Sequence, residues 1–115
     1  MKKVEAVVRS EKFPDVKETL DKIGVKGFLI YEVKGRGQQK GFLYLGEGTQ
    51  GSLILGGLIP KTKIEIVCDD AEVEKIISAI SSAAKTGEVG DGKIFVYDVS
   101  EVIRVRTGER GNAAI

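Results

Sequence analysis

The chain reads as an α+β domain with the element order β-α-β-β-α-β, and two observations predict it. Its halves repeat one another: Lys3-Val4-Glu5-Ala6-Val7-Val8 is echoed by Lys63-Ile64-Glu65-Ile66-Val67-Cys68, and Gly27-Phe28-Leu29-Ile30-Tyr31-Glu32-Val33 by Lys93-Ile94-Phe95-Val96-Tyr97-Asp98-Val99. These segments are rich in β-branched and aromatic residues, as strands are. Between the paired strands of each half, apolar residues fall at steps of three and four, the spacing of a helix with one buried face. Two such units in tandem make the split βαβ, or ferredoxin-like, arrangement: an antiparallel sheet with helices on one face.

The elements follow in order. The first strand covers residues 3–8. The first helix carries Phe13, Val16, Leu20 and Ile23, with Pro14 near its first turn and Gly24 just past its end, the positions where those two residues suit a helix. The second strand covers residues 27–33 and the third 63–68. The second helix carries Val73, Ile76, Ile77, Ile80 and Ala84, with Asp69 and Asp70 where a cap and negative charge are favoured and Gly87 closing the pattern. The fourth strand covers residues 93–99, and Arg104-Val105-Arg106 reads as a later strand with both arginines on one side. Helices on one face leave the other face uncovered, so a small cyclic homo-oligomer is expected.

At 115 residues the chain is long enough for one core and too short for two domains. Its 18 basic and 17 acidic residues give a formal charge of +1, so no broad basic field argues for nucleic acid. No apolar run approaches the ~20 residues of a membrane span, and Met1-Lys2-Lys3 leads into an alternating segment without a signal-peptide core. A single cysteine, Cys68, lies in an apolar run and reads as a reduced core residue of a cytoplasmic protein. There is no histidine, which removes His-based triads and the usual zinc sites.

The residues that look like chemistry are Thr86-Gly87-Glu88-Val89-Gly90-Asp91-Gly92-Lys93, with Arg104 and Arg106 beyond them. Closely spaced glycines let a backbone approach an anion, and lysine and arginine supply charge for phosphates. The stretch nearly spells a Walker A loop. However, Ile94 stands where a Ser or Thr would reach Mg²⁺, and the order is helix then strand, the reverse of a P-loop. A plain tight turn is the simpler reading of the glycines alone.

The connection between the second and third strands is too long for a hairpin. It runs from about Gly37 to about Ile59 and holds Gly37, Gly41, Gly46, Gly48, Gly51, Gly56 and Gly57 beside Phe42, Leu43, Tyr44, Leu45, Leu53, Ile54 and Leu55. Loops beyond about 12–15 residues in a compact domain are usually functional or disordered. A mobile partner-binding loop is expected here, with an extended structural hairpin as the plainer alternative.

On these residues the chain resembles the PII signal-transduction proteins, the nitrogen-regulatory family, over essentially its whole length. The carriers are residues 1–6, Glu32-Val33-Lys34-Gly35-Arg36-Gly37, Gln39-Lys40-Gly41, residues 60–67, residues 86–96, and Val102-Ile103-Arg104-Val105-Arg106-Thr107-Gly108-Glu109. The resemblance implies one domain over residues 1–115 and a homotrimer. Residues 37–58 match the flexible effector loop (T-loop), 86–93 the B-loop, and 104–111 the C-terminal loop. It implies that ATP and ADP compete for clefts between subunits, and that ATP with Mg²⁺ admits 2-oxoglutarate. Gly90, Asp91, Gly92 and Lys93, with Val89, then correspond to the phosphate-holding turn, and Arg104 and Arg106 to phosphate-binding arginines of a neighbouring subunit. Gly35, Gly37 and Val67 correspond to the backbone lining of the cleft, and Gln38 lies beside them. Gln39 corresponds to the side chain on Mg²⁺ and 2-oxoglutarate, and Lys61 to the lysine on a 2-oxoglutarate carboxylate.

The chain also departs from the family pattern. Gly51 and Ser52 occupy the region of the usual modified tyrosine, and no Lys or Arg lies between Lys40 and Lys61. Gln38 stands where an arginine commonly meets the ATP γ-phosphate, and Leu29 where a threonine is common near adenine. The expected function is therefore a nucleotide-sensing, non-enzymatic regulator acting on a transport protein, a nitrogen-assimilation enzyme or a transcriptional regulator. It is expected to bind no nucleic acid and not to insert into a membrane. An energy sensor without a 2-oxoglutarate response is the alternative, and a slow nucleotide hydrolase ranks below both.

Overall fold

The computed structural model describes residues 1–36 and 58–115. Within them four strands, β1 (Lys2–Arg9), β2 (Leu29–Gly35), β3 (Ile59–Cys68) and β4 (Gly92–Asp98), and two helices, α1 (Phe13–Lys22) and α2 (Val73–Ala84), follow the expected order. The sheet runs β2-β3-β1-β4 with every neighbouring pair antiparallel. The strands of each βαβ half are thus split by a strand of the other, which is the ferredoxin-like fold.

Alternation along the central strands decides which face is buried. Val4, Ala6 and Val8 of β1 and Thr62, Ile64, Ile66 and Cys68 of β3 point to the helices and are buried. They meet Val16 and Leu20 of α1 and Ile76, Ala79, Ile80 and Ala84 of α2. Burying aliphatic side chains of this size is worth roughly 1.5–3 kcal/mol each before the entropy of ordering them. Cys68 is among them, and burial raises its thiol pKa.

The first helix ends as its sequence expects. Gly24 takes φ +88°, its N–H donates to the Asp21 carbonyl at 3.1 Å, and the Val25 N–H donates to Leu20 at 3.0 Å. This pairing is the Schellman motif, which needs a left-handed residue where Gly24 stands. The second helix differs from expectation. It stops at Ala84, with Lys85 already extended, so Gly87 opens the following turn and does not close the helix. Asp69 caps a short 3₁₀ turn before α2, accepting from the Ala71 N–H at 3.3 Å. The third strand also begins four residues before the expected 63, at Ile59.

The face away from the helices carries an alternating charge lattice. Lys3 lies 3.7 Å from Glu65 and Lys63 lies 3.8 Å from Glu5. The same ammonium groups sit over Tyr97 and Tyr31, 4.6 and 4.5 Å from the ring centres, and the Tyr97 hydroxyl donates to Glu5 at 3.0 Å. Leu29, Tyr31, Phe95 and Tyr97 remain exposed on this face.

Candidate functional site

The turn between α2 and β4 is built by one carboxylate. Asp91 accepts from the Thr86 N–H and the Gly87 N–H, both at 2.8 Å, from the Thr86 hydroxyl at 2.5 Å, and from Arg9 Nε at 3.3 Å. Burial on its own would raise the pKa of this group, but the bonds from Thr86, Gly87 and Arg9 outweigh it and hold the carboxyl well below the usual range. Gly87, Gly90 and Gly92 take φ of +91°, +106° and +108°, a region side chains other than glycine rarely occupy. Gly92 is also pressed onto β1: a Cβ there would lie 1.8 Å from the Val7 carbonyl oxygen.

Two cations hold the turn from the sheet. Arg9 Nη2 donates to the Val89 carbonyl at 2.9 Å, and Lys61 Nζ donates to the Gly90 carbonyl at 2.5 Å. Desolvation lowers the Lys61 pKa, the neighbouring Arg9 charge adds to that, and Glu11 and Asp91 oppose it. A cleft of about 530 Å³ opens beside the turn, lined by Gly35, Arg36, Lys61, Gly90, Lys93 and Phe95 among others. So the structure brings together Gly35, Lys61, Val89, Gly90, Asp91, Gly92 and Lys93. Gly37, Gln38 and Gln39 lie outside the described residues, as does the 37–57 part of the expected effector loop.

Val67, Arg104 and Arg106 are elsewhere. Val67 is six residues along β3 from Lys61, about 20 Å at strand rise. It lines a separate cavity of about 790 Å³ at the opposite end of the sheet, shared with Phe28, Leu29, Val102 and the C-terminal Ile115. Arg104 pairs with Glu109 and donates to the Ala113 carbonyl at 2.9 Å. The expected strand through Arg104-Val105-Arg106 is corrected to a turn, because the Gly108 N–H, with φ +75°, returns to the Arg104 carbonyl at 2.7 Å. The two arginines therefore do not share a strand face.

Arg9 is the residue that sequence reasoning missed. It ends β1 beside no glycine motif, and its sequence distance from Asp91 hides the contact. The available signal was a lone arginine closing an otherwise alternating strand.

A ferredoxin-like domain with a cation-braced glycine turn at one end of its sheet defines the structural class. A model for the family described as Nitrogen regulatory protein P-II matches residues 1–109. The chain is 50% identical over 115 residues to the nitrogen regulatory protein P-II of Rhodospirillum rubrum, covering all of both. It is 46% identical to P-II 1 of Escherichia coli K12, again covering all of both. Its fold matches a crystal structure of Arabidopsis thaliana PII bound to citrate with a TM-score of 0.79 and 43% identity, covering 99% of this chain and 91% of the other. The chain belongs to the nitrogen regulatory protein P-II family. Its relatives are named as regulatory proteins, not as enzymes. Among the described residues no helix is long and apolar enough to cross a membrane.

Proposed function

We propose that the protein is a cytoplasmic nucleotide-responsive regulator in which ATP and ADP compete for clefts between copies of the chain in a homotrimer. The observation that carries this reading is the division of the site. The residues that the resemblance assigns to nucleotide lie at two ends of one sheet, with Lys61 and Gly90–Lys93 at one and Val67 at the other, where Arg104 bonds to Ala113 beside the cavity-lining Ala114. One copy's turn facing the next copy's far end would complete the site. Backbone amides and Lys93 would meet the phosphates, and the apolar cavity would take the flat base. The exposed aromatic groups on the open sheet face fit burial against further copies.

In this reading Mg²⁺ would arrive with the nucleotide, and Gln39 would be its protein ligand. In the same reading Gln39 and Lys61 receive 2-oxoglutarate. Residues 37–58 then present a ligand-dependent surface to a transport protein, a nitrogen-assimilation enzyme or a transcriptional regulator. The Arabidopsis relative is bound to citrate, a polycarboxylate like 2-oxoglutarate. A hydrolase reading loses ground at Asp91. Its carboxylate is occupied by four donors and its pKa is depressed, leaving a poor general base.

An energy sensor without a 2-oxoglutarate response is the second reading, favoured by the Lys61 ammonium already resting on the Gly90 carbonyl. Calorimetric titration with ATP, ADP, and 2-oxoglutarate with and without Mg-ATP separates the two. Saturable nucleotide binding, with 2-oxoglutarate bound only beside Mg-ATP, is the result expected of the first. Nucleotide binding alone selects the second, and no nucleotide binding defeats both.

A further inference from the structure

Two cations reach the glycine turn from neighbouring strands. Arg9 ends β1 and Lys61 lies near the start of β3, directly opposite each other in the sheet register. Like charges so placed repel. Both are sheltered, the Arg9 side chain at 12% exposure and Lys61 at 8%. Such a pair needs acceptors close by, and the turn supplies them. Arg9 holds the Val89 carbonyl and the Asp91 carboxylate, and Lys61 holds the Gly90 carbonyl. Two successive carbonyls are thereby drawn towards two cations. In a planar trans peptide the N–H points opposite to the C=O, so the amides of Gly90 and Asp91 are turned away from Arg9 and Lys61. Neither amide has a protein acceptor among the described residues. Successive N–H groups presented together form an anion-binding nest.

We propose that Arg9 is a positioning residue of the anion site: by holding the Val89 carbonyl and the Asp91 carboxylate, it presents the Gly90 and Asp91 amides to a polyphosphate that it does not itself touch. Lys61 fixes the second carbonyl in the same sense. The proposal rests on the reading of this turn as the phosphate holder.

Its test is calorimetric titration of wild type, Arg9→Met, Arg9→Lys and Asp91→Asn with AMP, ADP and ATP, alongside melting temperature and assembly size. Arg9→Met is expected to weaken ATP by roughly tenfold or more, ADP less and AMP least, since the nest acts on phosphate charge. Its assembly size stays that of wild type, while its melting temperature falls modestly with the loss of the Asp91 ion pair. Arg9→Lys keeps one charged donor and recovers most of the loss. Asp91→Asn, which breaks the other side of the clamp, repeats the graded pattern. Unchanged affinities in both Arg9→Met and Asp91→Asn overturn the proposal. So does an equal loss for all three nucleotides, which marks a general packing role. Wild type that binds no nucleotide defeats the underlying reading, and this is visible before any variant is compared.

Discussion

The two ends of the sheet are made by the same strands and differ in almost every other respect. At the turn end, where β1 finishes in Arg9 and β3 carries Lys61 near its start, these charges meet Asp91 and the carbonyls of Val89 and Gly90. At the far end the same strands carry Lys2 and Cys68, and an apolar cavity opens over Phe28, Val67 and Ile115. Charges there pair with nearby surface groups: the Met1 amine with Asp70 at 2.8 Å, Lys2 with Asp98, and Arg110 with Glu101 at 3.3 Å. The polar end is tied together by contacts between residues far apart in the chain, while the other end is an apolar cavity; in the proposed reading the first takes the phosphates and the second the base.

The contrast breaks most completely at Gly92. Gly92→Ala would force a Cβ to 1.8 Å from the Val7 carbonyl at a φ of +108°. We expect more than about 3 kcal/mol of lost stability, read by denaturant unfolding. By comparison, Gly24→Ala, in open space at φ +88°, is expected to lose only about 1 kcal/mol.

Binding sharpens the comparison next. In the proposed reading, Lys93→Ala, at the turn end, and Arg106→Ala, in the C-terminal segment, should each weaken ATP by at least about tenfold. If the proposed trimer forms, co-assembly of the two variants should regain some strong sites, where an intact turn meets an intact C-terminal segment of the next copy. Mixtures that regain none would mean that each chain forms its site alone.

The smallest effect is a difference in pH and salt response between two depressed carboxylates. Asp91 is held low by Thr86, Gly87 and Arg9 against the burial that would raise it, and Asp70 chiefly by a hydrogen bond from the N-terminal amine. A carboxyl depressed in the folded state contributes stability above its unfolded pKa of about 3.9 and loses it as pH falls towards the folded value. The stability gap between wild type and Asp91→Asn should thus be level near neutrality and shrink below about pH 4. Because Asp70 is exposed, 0.5 M salt should erase the effect of Asp70→Asn and leave that of Asp91→Asn largely in place. Denaturant midpoints across pH and salt check both.

The fold was legible because each of its signals is local. Alternation in β1, the three-four spacing of Val16 and Leu20, and Gly24 beyond the helix all act within a few residues. The glycine turn was legible for the same reason. Its bracing was not, since Arg9 and Asp91 meet only after β1 and β4 pair. The Arg104–Arg106 segment misled because alternation implies a strand only where a partner strand is present. A single bridge from Ile103 to Arg110 closes a turn instead.

Gly92 has a consequence for how mutational scans of this protein are read. Its side-chain freedom is removed by the carbonyl of Val7, a contact with no ligand in it. A library screened for growth or signalling would find this position intolerant even if the protein had no ligand to bind. Depletion of variants at Gly92 would therefore report on the assembly of β4 against β1. Depletion at Lys93, whose exposed side chain has no partner among the described residues, would instead be the signal expected of the proposed ligand site.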